Sequence, residues 1–122
     1  MNHKQTFGRL GEQRATEHLL ECGWQILERN WRCKEGEADI IALDPEAQAL
    51  VVVEVKTRAG TGYGSPLETI TYAKARRLRS LAAIYARQSR TSYPRLRVDA
   101  IGILWPKGGG SELMHARGIE ER

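Results

Sequence analysis

The run Leu50-Val51-Val52-Val53-Glu54-Val55 constrains this chain more than any other stretch. It is β-branched and nearly continuous, which suits a central strand buried on both faces. Before it stands a second apolar run, Gly36-Glu37-Ala38-Asp39-Ile40-Ile41-Ala42-Leu43, and between them lie Asp44, Pro45, Glu46, Ala47 and Gln48. Turn residues between two such runs predict a β-hairpin with a somewhat long loop. Glu54 and Lys56 break the end of the second strand. A carboxylate and an ammonium at the end of a core strand are costly unless they are paired or bound to something.

Side chains of a strand alternate between faces, so Val52, Glu54, Lys56 and Arg58 share one face and Val51, Val53 and Val55 the other. On the preceding strand Glu37, Asp39, Ile41 and Leu43 fall together. Pairing about the turn near Pro45 and Glu46 brings Asp39 opposite Lys56 or Glu54, within cross-strand reach. Two carboxylates and a lysine then converge at one edge of an apolar sheet. Mg²⁺ or Mn²⁺ suits such a place, with one or two carboxylates, waters and substrate phosphate completing the shell. The competing account of a Glu-x-Lys pair is a plain salt bridge.

The rest of the chain sets the frame. At 122 residues it is long enough for one domain with a real core and too short for two; we expect a domain over 1–122, its core about 7–117, with 118–122 a loose tail. No apolar run is long enough to span a membrane and no apolar segment follows the first residues, so the expectation is a soluble, cytoplasmic protein without a membrane partner. Cys22 and Cys33 lack zinc or disulfide spacing and read as reduced packing residues. His3, His18 and His115 are scattered, which gives a histidine metal cluster little support.

Charge is uneven beyond its net of +4. From Lys56 to Arg97 there are ten Lys or Arg and a single acid, Glu68, whereas the first 55 residues carry ten acids and six bases. A basic surface on a more acidic body is what a polyphosphate partner needs, since neutralising phosphates releases counterions. A solvated arginine-rich helix is the alternative.

Helical spacing of Ala15, Leu19 and Cys22 predicts a helix over 7–22 that stops at Gly23, with Glu12 on the inward stripe. Its alternative role is to favour the helix dipole from the first turn. Trp24 to Cys33 mixes polar and apolar groups on both faces, as an edge strand does; Trp31 and Arg32 could meet nucleic acid, although tryptophans are more often packing anchors. The glycine-rich loop 59–66 has the flexibility of a segment that closes over a substrate, and equally of a plain connection. Thr69 or Thr71 can cap a second helix running to about Gln88, with Leu78, Leu81, Ala82 and Tyr85 inward. Lys74 leans from that stripe towards the sheet, and Arg77 and Arg79 are candidate phosphate contacts. Leu96 to Leu104 alternates as a strand, with Asp99 expected to be structural, and Glu112 to Arg117 returns as an edge strand.

Taken in order, Gly8-x-x-Gly11-Glu12, Asn30-x-Arg32, Gly36-Glu37-x-Asp39, Val53-Glu54-Val55-Lys56-x-Arg58, Lys74 and Asp99 resemble the small bacterial UPF0102 (YraN-like) family. Through it they resemble the restriction-endonuclease-like (PD-(D/E)xK) nucleases and archaeal Holliday junction resolvases. The likeness runs from about Gly8 to Leu104, although no proline precedes the first acidic residue of the signature. It implies an α/β fold with a restriction-endonuclease-like mixed central sheet flanked by helices, in the order α-β-β-β-α-β-β. It also implies that Glu12 and the Val55 carbonyl complete a metal site with Asp39 and Glu54, that Lys74 lies near the carboxylates and that the product carries a 5′-phosphate. Resolvase-like relatives dimerise to cut two strands symmetrically, so a homodimer is among the assemblies open to the chain.

The leading expectation is therefore Mg²⁺- or Mn²⁺-dependent hydrolysis of DNA phosphodiester bonds, with branched, junction-like DNA as one substrate. Asp39, Glu54 and Glu12 would serve the metal, Lys56 the attacking water, and Arg58, Lys74, Arg77, Arg79 and Arg32 the nucleic acid. The alternative is a catalytically silent nucleic-acid-binding module, or an interaction protein in DNA repair or uptake.

Overall fold

The computed structural model describes residues 3–60 and 64–121. Helix α1 (His3–Glu21) leads into strands β1 (Gln25–Cys33), β2 (Gly36–Asp44) and β3 (Ala49–Arg58). A 3₁₀ turn (Pro66–Thr69), helix α2 (Tyr72–Ser89), strands β4 (Arg95–Leu104) and β5 (Glu112–Ala116) and a last 3₁₀ turn (Ile119–Glu121) follow. This is the expected order of helices and strands, with the first helix starting earlier than its apolar spacing indicated.

The five strands form one sheet in the order β1-β2-β3-β4-β5. β3 and β4 run parallel and the other neighbours antiparallel, so the sheet is mixed as expected. The parallel pair requires a crossover, and α2 supplies it. β1 is an edge strand, and β3 is central with its first six residues buried.

One helix covers each face. Ala15 and Leu19 of α1 pack with Trp24, Ile40, Val51, Val53, Ile101 and Ile103. Leu78, Leu81 and Ala82 of α2 pack with Ile41, Leu50, Val52 and Val98 on the opposite face. Each such Val, Leu or Ile contributes roughly 1.5–3 kcal/mol when fully buried. That explains why β3 is apolar on both sides from Ala49 to Val53.

Local signals fix the helix ends. Gly23, at φ 84°, follows α1; its N–H donates to the Leu20 carbonyl and that of Trp24 to the Leu19 carbonyl, both at 3.0 Å. This is a Schellman closure, with Trp24 packing in the same cluster as Leu19. At α2 the Thr71 hydroxyl accepts from the Lys74 N–H at 3.1 Å, a cap worth about 1 kcal/mol.

A buried polar network ties the sheet to the chain end. Arg97, 5 % exposed, donates to Asp44 at 2.9 Å and to Asp99 at 2.8 Å. Asp99 also accepts from the Gly118 N–H at 3.1 Å and lies 2.9 Å from His115 Nε2. Burial opposes ionisation of both acids, but the Arg97 hydrogen bond at Asp44, and those of His115 and Arg97 at Asp99, outweigh it and hold them below the usual carboxylate range. Asp99 is thus a structural group, as its strand position suggested.

Two expectations change. Where a loose tail was expected from Gly118 on, Ile119 packs on the α2 side, and both Glu120 carboxylate oxygens accept the Val98 N–H, at 3.1 and 3.2 Å. Cys22 is exposed at the end of α1, while Cys33 packs as expected; the helix has completed its last turn at Glu21, so the next inward place belongs to Trp24.

Candidate metal and catalytic site

The β2–β3 ladder runs from Asp44↔Ala49 to Ile40↔Val53. One step further, the same register sets Asp39 against Glu54, one of the two partners that strand alternation allowed. There a side chain takes over from the backbone ladder: the Val55 N–H donates to Asp39 Oδ2 at 2.8 Å. The opening of the hairpin thus orients the Asp39 carboxyl, which also has a side-chain hydrogen bond with Glu54.

Glu54 is 5 % exposed and projects towards α2. Lys56 Nζ lies 3.6 Å and Lys74 Nζ 3.5 Å from its Oε2. The expected lean of Lys74 towards the sheet is therefore present, and the Thr71 cap sets the helix end from which it reaches. Burial and the negative charge of Glu54 push Asp39 up to about 7, against the Val55 hydrogen bond. Glu12 of α1 is raised as well, by burial, with Arg29 and a hydrogen bond from Asn30 working in the opposite direction. Acids whose ionisation is disfavoured by one another form a place that gains from a positive charge.

An open cleft of about 460 Å³ runs along this end of β3, lined by Gly8, Glu12, Asp39, Lys56 and Arg58 among others. Val55 lines it too. The oxygen donors suit a hard divalent cation, and Lys56 and Arg58 add positive charge for a phosphate. Among the described residues no three acidic, histidine or cysteine side chains are closed to the spacing of a metal cage. A Mg²⁺-type ion needs no such cage, since it retains several waters and takes one or two carboxylates.

The other candidate cations are dispersed. Arg32 pairs with Glu37 at 3.2 Å on the open surface, both side chains more than half exposed. Arg77 and Arg79 line a groove on α2 with Tyr72 and Arg76, separate from the carboxylate cleft. Tyr63 and its neighbours Thr61 and Gly62, the middle of the glycine-rich loop, lie outside the described residues.

Sequence reading assigned Asn30 and Gly11 no role beyond their place in the motifs, and it did not bring His18 and His115 together. Asn30 adopts φ 52° within β1, a left-handed conformation that asparagine tolerates, and bonds Glu12. Gly11 faces Thr57: a Cβ there would collide with the Thr57 hydroxyl, so this glycine is what lets α1 carry Glu12 close to β3. His18 and His115, 97 positions apart, meet with Nε2 and Nδ1 3.2 Å apart; their scatter along the chain concealed it.

Comparison with known proteins adds a relationship. The model of a family described as "Uncharacterised protein family UPF0102" matches residues 11–103. A UPF0102 protein of Clavibacter michiganensis is 49% identical over 109 residues, covering 89% of this chain and 91% of the relative. One from Renibacterium salmoninarum is 44% identical over 119 residues, 98% and 99% of the two chains. Another, from Mycobacterium ulcerans, is 44% identical over 112 residues, 92% of each. The segment matched by the family model contains Glu12, Asp39, Glu54, Lys56 and Lys74 together, and the chain is a member of the UPF0102 family.

Proposed function

We propose that this protein is a divalent-metal-dependent nuclease acting on DNA phosphodiester bonds, with branched DNA among its substrates. The observation that carries the reading is the opening of the β2–β3 hairpin, where Asp39 and Glu54 meet beside two lysines. Asp39 and Glu54 would hold Mg²⁺ or Mn²⁺, with Glu12 and the Val55 carbonyl completing the protein's share. The ion supplies a bound water of lowered pKa and a counter-charge for the phosphoryl oxygens.

The chain's own groups do the rest. Val55 fixes the orientation of Asp39 through its N–H. Lys56, at 3.6 Å from Glu54, stands where an ammonium can orient the attacking water and offset charge that grows on the phosphate. Lys74 approaches the same carboxylate from α2 and is free to exchange Glu54 for substrate phosphate. Arg58 lines the cleft as a backbone clamp.

A second reading has its own support: Glu54 already carries two internal ion pairs, as a silent nucleic-acid-binding module would. Incubation of labelled branched and linear DNA with Mg²⁺ or Mn²⁺ separates the two. The nuclease reading expects cleavage by the wild type, none by Asp39→Ala or Glu54→Ala, and binding by all three. Binding without cleavage by the wild type would establish the silent module instead.

A further inference from the structure

On the α2 face, beside the carboxylates, the first 3₁₀ turn and the start of α2 enclose a cavity of about 190 Å³. Leu67, Ile70, Ala75, Ala100 and Ile119 make it apolar, and Tyr72 stands at its rim. Its position relative to the site is fixed by the sheet, because Ala100 pairs with Glu54 across the β3–β4 ladder. Adjacent strands lie about 5 Å apart, and Ala75 follows Lys74 directly in α2. The cavity is therefore a neighbour of the proposed catalytic groups.

Tyr72 is 57 % exposed, unusual for a large aromatic at the edge of an apolar hollow. It also lines the next groove along α2, with Arg76, Arg77 and Arg79. The Arg76 guanidinium sits 5.8 Å from the centre of the Tyr72 ring, which supports the ring from one side. Glu120 is the acid in that groove, and both its oxygens are engaged by the Val98 N–H. Running away from Glu54 there is thus a lysine, an apolar hollow with an aromatic rim, and then three guanidinium groups.

This sequence of chemistries suits one class of ligand. In a duplex the faces of the bases are covered by their neighbours, and an apolar hollow beside an open ring has nothing to accept. A single strand presents a free base face next to regularly spaced phosphates, which are the two things the hollow and the arginines recognise. We propose that the cavity and the Tyr72–Arg79 groove form a subsite for a single-stranded nucleic-acid arm, one unstacked base entering the hollow against Tyr72 and the following phosphates lying on Arg76, Arg77 and Arg79. The proposal deepens the nuclease reading by giving its substrate a single-stranded segment next to the scissile bond, and its binding step is independent of cleavage.

Fluorescence anisotropy tests it in chelator, where no cleavage occurs, with a labelled oligothymidine of about a dozen nucleotides, a blunt duplex, and the same duplex bearing a single-stranded arm. The oligothymidine and the armed duplex are expected to bind more tightly than the blunt duplex. Tyr72→Ala should weaken both by about five- to a hundredfold, the range for loss of one base–aromatic stack, and leave the blunt duplex within about twofold; Tyr72→Phe should bind as the wild type. Tyr72 is exposed, so the fold tolerates these changes, and circular dichroism checks this.

Equal affinity for the arm and the blunt duplex, or indifference of the arm to Tyr72→Ala, overturns the subsite and leaves a purely electrostatic surface. Cleavage with Mg²⁺ is scored separately. Arm discrimination without cleavage removes the nuclease reading and keeps the subsite, whereas cleavage with no role for Tyr72 does the reverse.

Discussion

Replacing Asp39 by asparagine should make the metal-free protein more stable while abolishing its response to Mg²⁺. Asparagine retains an oxygen to accept the Val55 N–H, so the bond that orients residue 39 survives. What disappears is a negative charge beside Glu54 and Glu12. Asp39 rises from an ordinary 3.8 to about 7, which corresponds to about 4 kcal/mol at full ionisation. Asp39 retains some contact with solvent and its surroundings relax, so about 1–3 kcal/mol is the realistic gain for the variant. The sign follows from linkage. A carboxyl raised in the folded state favours folding below its unfolded value, and that contribution is lost as pH rises from about 4 to about 7. Urea unfolding in chelator should therefore give equal midpoints at pH 4 and a higher midpoint for Asp39→Asn at pH 8, by about 0.5–2 M for a slope of about 1.5 kcal/mol/M. Adding Mg²⁺ at pH 8 should raise the wild type alone. A variant that is less stable at pH 8 in chelator, or a difference between the two proteins that does not change with pH, would refute the reasoning.

Gly11→Ala should destabilise the fold by about 1–3 kcal/mol, because the added methyl meets Thr57; the double variant with Thr57→Ala should recover part of the loss in thermal melts. Arg97→Met leaves Asp44 and Asp99 buried without their guanidinium and should cost about 3–5 kcal/mol by urea unfolding. Both acids are held below their ordinary value, so the stability they lend is present above about pH 4 and lost as pH falls further, and acid unfolding of Arg97→Met should lack much of that steepness. Glu54→Gln should lower any Mg²⁺-dependent cleavage at least about a hundredfold while DNA affinity in chelator changes little, measured by single-turnover kinetics and anisotropy.

The hairpin and its acids were legible because their signals are local and agree with each other. Valines of β3 demanded burial on two faces, the turn at Pro45 with strand parity left Asp39 opposite Lys56 or Glu54, and the observed register selects Glu54. Lys74 was legible for a similar reason: one turn before Leu78 on a stripe that packs inward, it has the sheet in front of it. Contacts between remote segments gave no such sign. Nothing in the spacing of His18 and His115 shows that α1 and β5 place them together, and the grip of Glu120 on Val98 depends on how the chain end turns back over β4. Asn30 was quoted as a motif residue, but its bond to Glu12 was hidden for a backbone reason, since its left-handed φ departs from the alternation by which a strand is read. Arg77 and Arg79 were identified as basic but not assigned to a separate groove, because charge density along a helix does not say which neighbour closes the surface.

The side-chain bond that ends the hairpin ladder also provides a built-in sensor. The Val55 amide proton points at Asp39 Oδ2 rather than at a strand carbonyl, so its ¹⁵N and ¹H resonances should track the electron density of that one oxygen. Titration with acid, with Mg²⁺ or with a nucleic acid can then be followed at a single NMR cross-peak without modifying either partner. Solvent-exchange rates at the same position would measure how often the mouth of the hairpin comes apart.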